Sequence, residues 1–291
     1  MARPRPPIAD RLHASHPTSM DFSRHFEIVR WIVLLLVWQT FSHSGLAADS
    51  SDIAAAGDVS GPARVTGTLY EIGSNRHTIL YRFVRTAHRT GSTVQVQRQF
   101  TTPDGTVAAA ETVLYQSNRL VAYEMKEFQA NLSGSIRIEP DPAKRGQSNI
   151  LIGYGKSLAP PRGDPQPLKP DTLIDDDLYP FMLVHWDALM RGESVKFRFV
   201  SIEWKRTFNF QLVKTGESAV DGHPCEQITM NPSGLLLAQV VNPLVFTVEK
   251  AAPHMLLSYI GRTTPRVKKG ADWKYLDAET VFDLASMVLA K

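Results

Sequence analysis

One cysteine, Cys225, stands in the 291 residues, so no disulfide can form within the chain. A bacterial lipoprotein is excluded as well, because it would need a cysteine directly behind its export signal. Charge of one sign is also missing, with 32 Lys and Arg against 29 Asp and Glu. The first 48 residues hold Arg3, Arg5, Arg11, Arg24 and Arg30 against Asp10, Asp21 and Glu27, which leaves the remainder close to neutral. Nucleic-acid binding thereby loses its electrostatic basis. Neither G-x-S-x-G, H-E-x-x-H nor a paired-cysteine motif occurs, so the familiar hydrolase, zinc-protease and thiol-redox signatures are all missing. Long apolar runs are lacking too. The longest, Trp31 to Phe41, reaches about 14 residues when counted from Ile28, where a bilayer span needs roughly 20.

That short run is nonetheless informative. Arg24 and Arg30 precede it and the small residues Ser42 to Ala48 follow, which is the layout of a cleaved secretory signal. Residues 1–48 are therefore read as a signal peptide, with cleavage after Ala47 or Ala48. Met20 is the expected initiator, since residues 1–19 make an overlong basic lead. Residues 49–65 read as a disordered lead-in, and residues 66–291 as a single β-rich domain in an exported protein, periplasmic or secreted.

From Gly67 onward, strand-like runs follow at about ten-residue spacing: Leu69–Ile72, Thr78–Thr86, Thr93–Thr102, Thr112–Tyr115, Leu120–Phe128, Ile136–Glu139 and Ile150–Tyr154. Pro103-Asp104-Gly105, Ser117-Asn118 and Asp221-Gly222 supply turns of the kinds that join hairpins. Five prolines make Lys156–Asp171 an extended loop. Tyr179–Met190 reads as a helix with Phe181 and Trp186 on its apolar face. Glu193–Trp204 and Arg206–Thr215 alternate as strands carrying Phe197, Phe199, Phe208 and Phe210, and His223–Met230 follows as another strand. Pro232–Val241, with Leu236, and Asp277–Ala290 read as further helices, separated by strands at Leu244–Glu249 and Met255–Ile260. The expected fold is all-β with short inserted helices: a curved antiparallel meander of eleven or twelve strands forming a half-open barrel.

Several motifs dissolve on inspection. Gly153–Ser157 (GYGKS) resembles the end of a phosphate loop, but Ile150 occupies the position of its first glycine and prolines replace the helix that should follow, so Gly153 and Gly155 read as a pair of turn glycines. Asp175–Asp177 suit a helix start better than a metal site, and no metal or cofactor is expected. His223 with Cys225 lacks a third partner, and His185 and Asp187 stand two apart on a helix, where side chains diverge. Arg76, Arg82, Arg85 and Arg98 suggest a basic sheet face able to meet a membrane surface or another acidic partner.

The runs HWDALMRGESVKFRF, FNFQLVKTGESAVDGHPC, MNPSGLLLAQVVNPLVFTVE and LLSYIGR, within Asp176–Arg262, resemble an uncharacterised family of exported bacterial proteins that carries a domain of unknown function. The layout is distantly similar to the periplasmic lipoprotein carriers LolA and LolB. That likeness implies a half-open barrel holding an acyl chain. No functional residue of those carriers is matched here. The expected function is non-enzymatic binding of a lipid or other apolar molecule, in a cavity formed by Phe181, Trp186, Phe197, Phe199, Phe208, Phe210 and Leu236. The alternatives are a cell-envelope interaction protein using the basic face, or an enzyme with a site near Asp176, His185 or His223.

Overall fold

The computed structural model describes residues 61–234, 238–239 and 241–289. The signal region, most of the lead-in and Leu236 lie outside the described residues. Among the described residues, fifteen strands form a single sheet. The first eight are β1 (Pro62–Tyr70), β2 (Ile79–Thr90), β3 (Thr93–Thr101), β4 (Val107–Gln116), β5 (Arg119–Glu127), β6 (Leu132–Pro140), β7 (Ser148–Gly155) and β8 (Pro165–Pro167). The other seven are β9 (Thr172–Leu173), β10 (Val195–Ser201), β11 (Arg206–Val220), β12 (His223–Pro232), β13 (Leu244–Glu249), β14 (Leu256–Lys269) and β15 (Asp272–Leu289). Between β9 and β10 lie a 3-10 turn at Asp175–Asp177 and two short helices, α1 (Leu178–Val184) and α2 (Trp186–Met190).

The chain begins its sheet in the middle. From β1 the strands run outward in sequence order to an edge at β8, and from β15, which pairs with β1, they run back to the other edge at β9. Every pairing is antiparallel except β9 with β10. The two edge strands are joined by residues 168–171 alone. A connection that short reaches at most about 18 Å, so the sheet has to curl until its edges approach. Ile202, beyond β10, accordingly lies within reach of a Cβ placed on Gly134 of β6, at 2.5 Å. The expected all-β fold, a curved antiparallel meander with few helices, is what the chain adopts.

Local chemistry explains the strands. In β2, Tyr81, Phe83 and Arg85 are buried while Arg82, Val84 and Thr86 are exposed, the period-two pattern of a sheet with one dry face. Asp221 (φ 52°) and Gly222 (φ 83°) take the left-handed pair of conformations that a tight two-residue hairpin requires. The inward faces build three apolar clusters. One packs α1 and α2 on β10–β13, a second joins β3–β7 to Ile174 and Val200, and a third joins β1–β4 to β15.

Four expectations need correction. The helix expected over Asp277–Ala290 does not form across the described residues 277–289, which belong to β15, because the segment is hydrogen-bonded on both sides, to β1 and to β14. Its helix-compatible composition is overridden by that central position. The strands number fifteen because β8, β9 and β15 add to the twelve runs visible in the sequence. The helix over Tyr179–Met190 breaks at His185 (φ −100°, ψ 14°) into α1 and α2. Finally, Gly153 and Gly155 are strand residues of β7 rather than turn residues. The proline-rich segment folds back over the outer face there, where Ser133 Oγ donates to the carbonyl of Ala159 at 3.1 Å and Ser135 Oγ to that of Pro161.

A Cβ on Gly153 would lie 1.7 Å from the Pro161 carbonyl oxygen. Gly153→Ala should therefore lift the segment off β7 at a cost of about 1–3 kcal/mol, read as a lower melting temperature together with new protease cleavage between residues 156 and 164.

Candidate ligand cavity and its buried ion cluster

Strand alternation sends two arginines inward. Arg85 follows Tyr81 and Phe83 on β2, and Arg98 stands between Val96 and Phe100 on β3. The turn Asp175–Asp177 descends onto them from the far edge of the sheet. Arg85 binds Asp176 through two bonds, Nε to Oδ1 at 3.2 Å and Nη2 to Oδ2 at 3.0 Å. Arg98 donates to Asp175 at 2.8 Å, to Asp176 at 2.9 Å and to Glu111 of β4 at 3.1 Å. Asp177 accepts from the Tyr115 hydroxyl at 2.8 Å and from the backbone N–H of Ile174 at 2.9 Å. The last of these bonds caps the turn, so the capping role expected of the aspartates is carried by one of the three.

Two guanidinium groups thus meet three carboxylates, with Asp177 close by; Asp176, Asp177 and Glu111 are withdrawn from water, whereas Asp175 is half exposed. Burial pushes Glu111 and Asp177 up to about 7, in Glu111 against the pull of Arg98. Burial works against the Asp176 carboxylate as well, but Arg85 and Arg98 hold it below its usual range. The outcome follows from charge balance: the carboxylate gripped by both arginines keeps its charge, and two others hold protons near neutral pH.

Beside this cluster lies a cavity of about 160 Å³. Its walls are Val65, Phe83 and Phe100 from β1–β3, Leu178 and Leu183 from α1, Leu244, Phe246 and Leu256 from β13–β14, and Phe282 from β15. Arg85, Arg98, Asp175 and Asp176 form its polar end. Gly61, Pro62, Met255 and Met287 line it at the rim where β1 starts and β15 nears its end. A larger hollow of about 290 Å³ sits under the proline-rich segment, on the outer face. Its Glu124, Arg137, Glu139 and Arg162 are engaged with one another in ion pairs. The apolar interior cavity is the better candidate for a ligand site, since such sites bury their ligand among hydrophobic walls.

The aromatic residues expected to form the cavity gather in one place, but as packed core. Phe181, Trp186, Phe197 and Phe210 are buried together, with Phe199 and Phe208 packed against them. Phe181 and Phe197 have ring centroids 5.5 Å apart, and Phe199 and Phe210 5.9 Å. None of the six lines the cavity. Helix α1 has two occupied sides, Phe181 toward this core and Leu178 with Leu183 toward the cavity.

The four arginines do not form one basic face. Arg85 and Arg98 point inward, whereas Arg82 is exposed near the Pro103 carbonyl and Arg76, in the β1–β2 turn, pairs with Glu279 at 2.8 Å. Asp176, His185 and His223 likewise have separate partners. His185 packs on the Phe181 ring at 4.4 Å, and His223 Nδ1 lies 2.8 Å from Glu249 Oε1. The Cys225 thiol donates to the His223 carbonyl at 3.1 Å. Reading the sequence for motifs overlooked Glu111 and Tyr115. Their signal was present in the alternation, which places a Glu and a Tyr on the buried face of β4.

No family model matches the chain, and no curated protein matches it. Among solved structures the chain is similar to a β-barrel-like protein of domain of unknown function DUF1849 from Brucella abortus. The identity is 9%, the match covers 79% of this chain and 98% of that one, and the TM-score is 0.39.

Removing one side of a buried ion cluster leaves the other uncompensated, so Arg98→Ala should cost about 3–5 kcal/mol in a chemical-denaturation measurement. The raised carboxylates set a pH dependence. Glu111 and Asp177 titrate higher folded than unfolded, so their contribution is complete below about pH 4 and is lost as pH rises through about 7. The melting temperature should fall between about pH 5 and about pH 8, and Asp177→Asn, which cannot titrate, should flatten that fall.

Proposed function

We propose that the protein is exported and acts as a non-catalytic binding protein, holding a small apolar ligand or the end of a longer acyl chain inside its curved sheet. The observation that carries this reading is the interior cavity itself, with aromatic and aliphatic walls and one charged end. Its volume of about 160 Å³ is close to the roughly 150 Å³ at which an apolar cavity admits benzene. Ordinary ligand pockets run from about 300 Å³ upward. A complete lipid therefore requires side chains at the rim to move, whereas a ring or a chain terminus does not. The separate surroundings of Asp176, His185 and His223 support no catalytic grouping.

The test is uptake of N-phenylnaphthylamine, whose fluorescence rises in an apolar site. Saturable one-to-one uptake is expected. Leu183→Trp, which places a larger side chain in the cavity wall, should weaken it by at least roughly tenfold with little change in melting temperature. No uptake by the unaltered protein, or equal uptake by the variant, would overturn the reading.

A further inference from the structure

We propose that the rim at which the cavity opens is a docking surface for an anionic phospholipid bilayer; the purpose of that docking, though not its geometry, rests on the cavity reading. The turns β2–β3, β4–β5 and β6–β7 emerge at one end of the sheet. Their registers make them level. Thr93 faces Gln116, Gln116 faces Arg119, and continuing the β5–β6 pairing three residues beyond Ala122 and Arg137 brings Pro140 beside Arg119. With strands about 4.8 Å apart, the three tips span roughly 20 Å. They carry exposed Arg89, Arg119, Lys144 and Arg145. Arg89 donates to Asn118 on the next tip at 3.4 Å. The acid within this arc is Asp141, and its carboxylate accepts from the Ala143 N–H at 2.9 Å.

The cavity opens at the same end. Arg64 of β1 faces Thr86 of β2, so Gly61, three residues back, stands level with Arg89. Two exposed apolar side chains adjoin this opening: Val288 (53% exposed), paired with Arg64, and Val184 (49%), next to Leu183 of the cavity wall. A basic arc beside an apolar opening is the chemistry of an interface between water and lipid, where cations meet phosphates and small apolar groups enter the headgroup layer. A nucleic acid would use the arc alone and leave the apolar side chains without a role.

Co-sedimentation with vesicles tests the proposal, using phosphatidylcholine alone and phosphatidylcholine mixed with phosphatidylglycerol. Each Lys or Arg near an anionic leaflet contributes about fivefold, so the triple variant Arg119→Gln, Lys144→Gln, Arg145→Gln should lose on the order of a hundredfold in partition to the mixed vesicles. Its binding to phosphatidylcholine alone should not change. The comparison variant Lys205→Gln, Arg206→Gln, Lys269→Gln removes the same charge from turns at the opposite end and should bind as the unaltered protein does. Equal losses in the two variants, or none in the first, would overturn the docking rim. Uptake of N-phenylnaphthylamine in free solution should be untouched by the first variant. Rim-dependent vesicle binding in a protein that takes up no probe would support the docking rim and overturn the cavity reading instead.

Discussion

Two guanidinium groups sit where the inner face of β2 and β3 would otherwise be continuous hydrocarbon, and the arrangement of the interior follows from what they need. A buried arginine has to find acceptors within its own reach, or the cost of removing it from water exceeds anything its neighbours return. Arg85 and Arg98 find theirs in Asp175 and Asp176, which reach them from the opposite edge of the sheet order. The contact therefore spans the inside of the curl. It fixes where the chain must stand after β9 and, through Leu178, where α1 begins. A cluster of this kind adds little net stability compared with a well-packed apolar replacement, but a misplaced one is very unfavourable, so it selects one arrangement among many compact ones.

The charge balance inside the cluster explains why it tolerates burial. With two cations and three buried carboxylates, beside the half-exposed Asp175, full ionisation would leave an uncompensated negative charge in a region of low polarity. Protons on Glu111 and Asp177 remove most of it, and Asp177 then shares the Tyr115 hydroxyl and the Ile174 N–H as hydrogen-bond partners rather than as counter-ions. Tyr115 itself is held well above its normal range, by burial first and by Asp177 next, so it remains a neutral donor. Both halves of the sheet are thereby joined through the cluster, in which Arg98 Nε stays buried without a hydrogen-bond partner.

Much of this architecture is legible in the sequence, for reasons that can be named. The strands with clean alternation, such as those carrying Tyr81, Phe83, Val94 and Val96, announce themselves because a half-buried strand has no other pattern available. The turn at Asp221-Gly222 is equally plain, since few residue pairs accept its backbone angles. What stays hidden depends on partners far away in sequence. The end of β15 reads as a helix because nothing local reveals that β1, some two hundred residues earlier, supplies half its hydrogen bonds. Arg85 and Arg98 read as solvent-facing because a charged side chain on a strand is usually outside. Only their phase, in step with Tyr81, Phe83 and Val96, says otherwise. The aromatic residues of α1, α2, β10 and β11 pack together, but by type alone they cannot be told apart from cavity walls, since a packed core and a ligand pocket draw on the same side chains.

The cavity and the cluster are one construction. Helix α1 faces the packed aromatic core on one side and has to be held against the opposite wall of the curl on the other. There the cluster intervenes, because Asp175 and Asp176 immediately precede α1 and are fastened to Arg85 and Arg98. Side chains of that length and rigidity keep Leu178 and Leu183 from closing onto Val65 and Phe282. A short helix anchored through polar contacts at its start cannot slide to fill the gap without breaking several charge-assisted bonds at once. The vacancy is thus a consequence of the clamp rather than an accident of loose packing. That is why the polar end of the cavity and the anchor of the helix are the same four side chains.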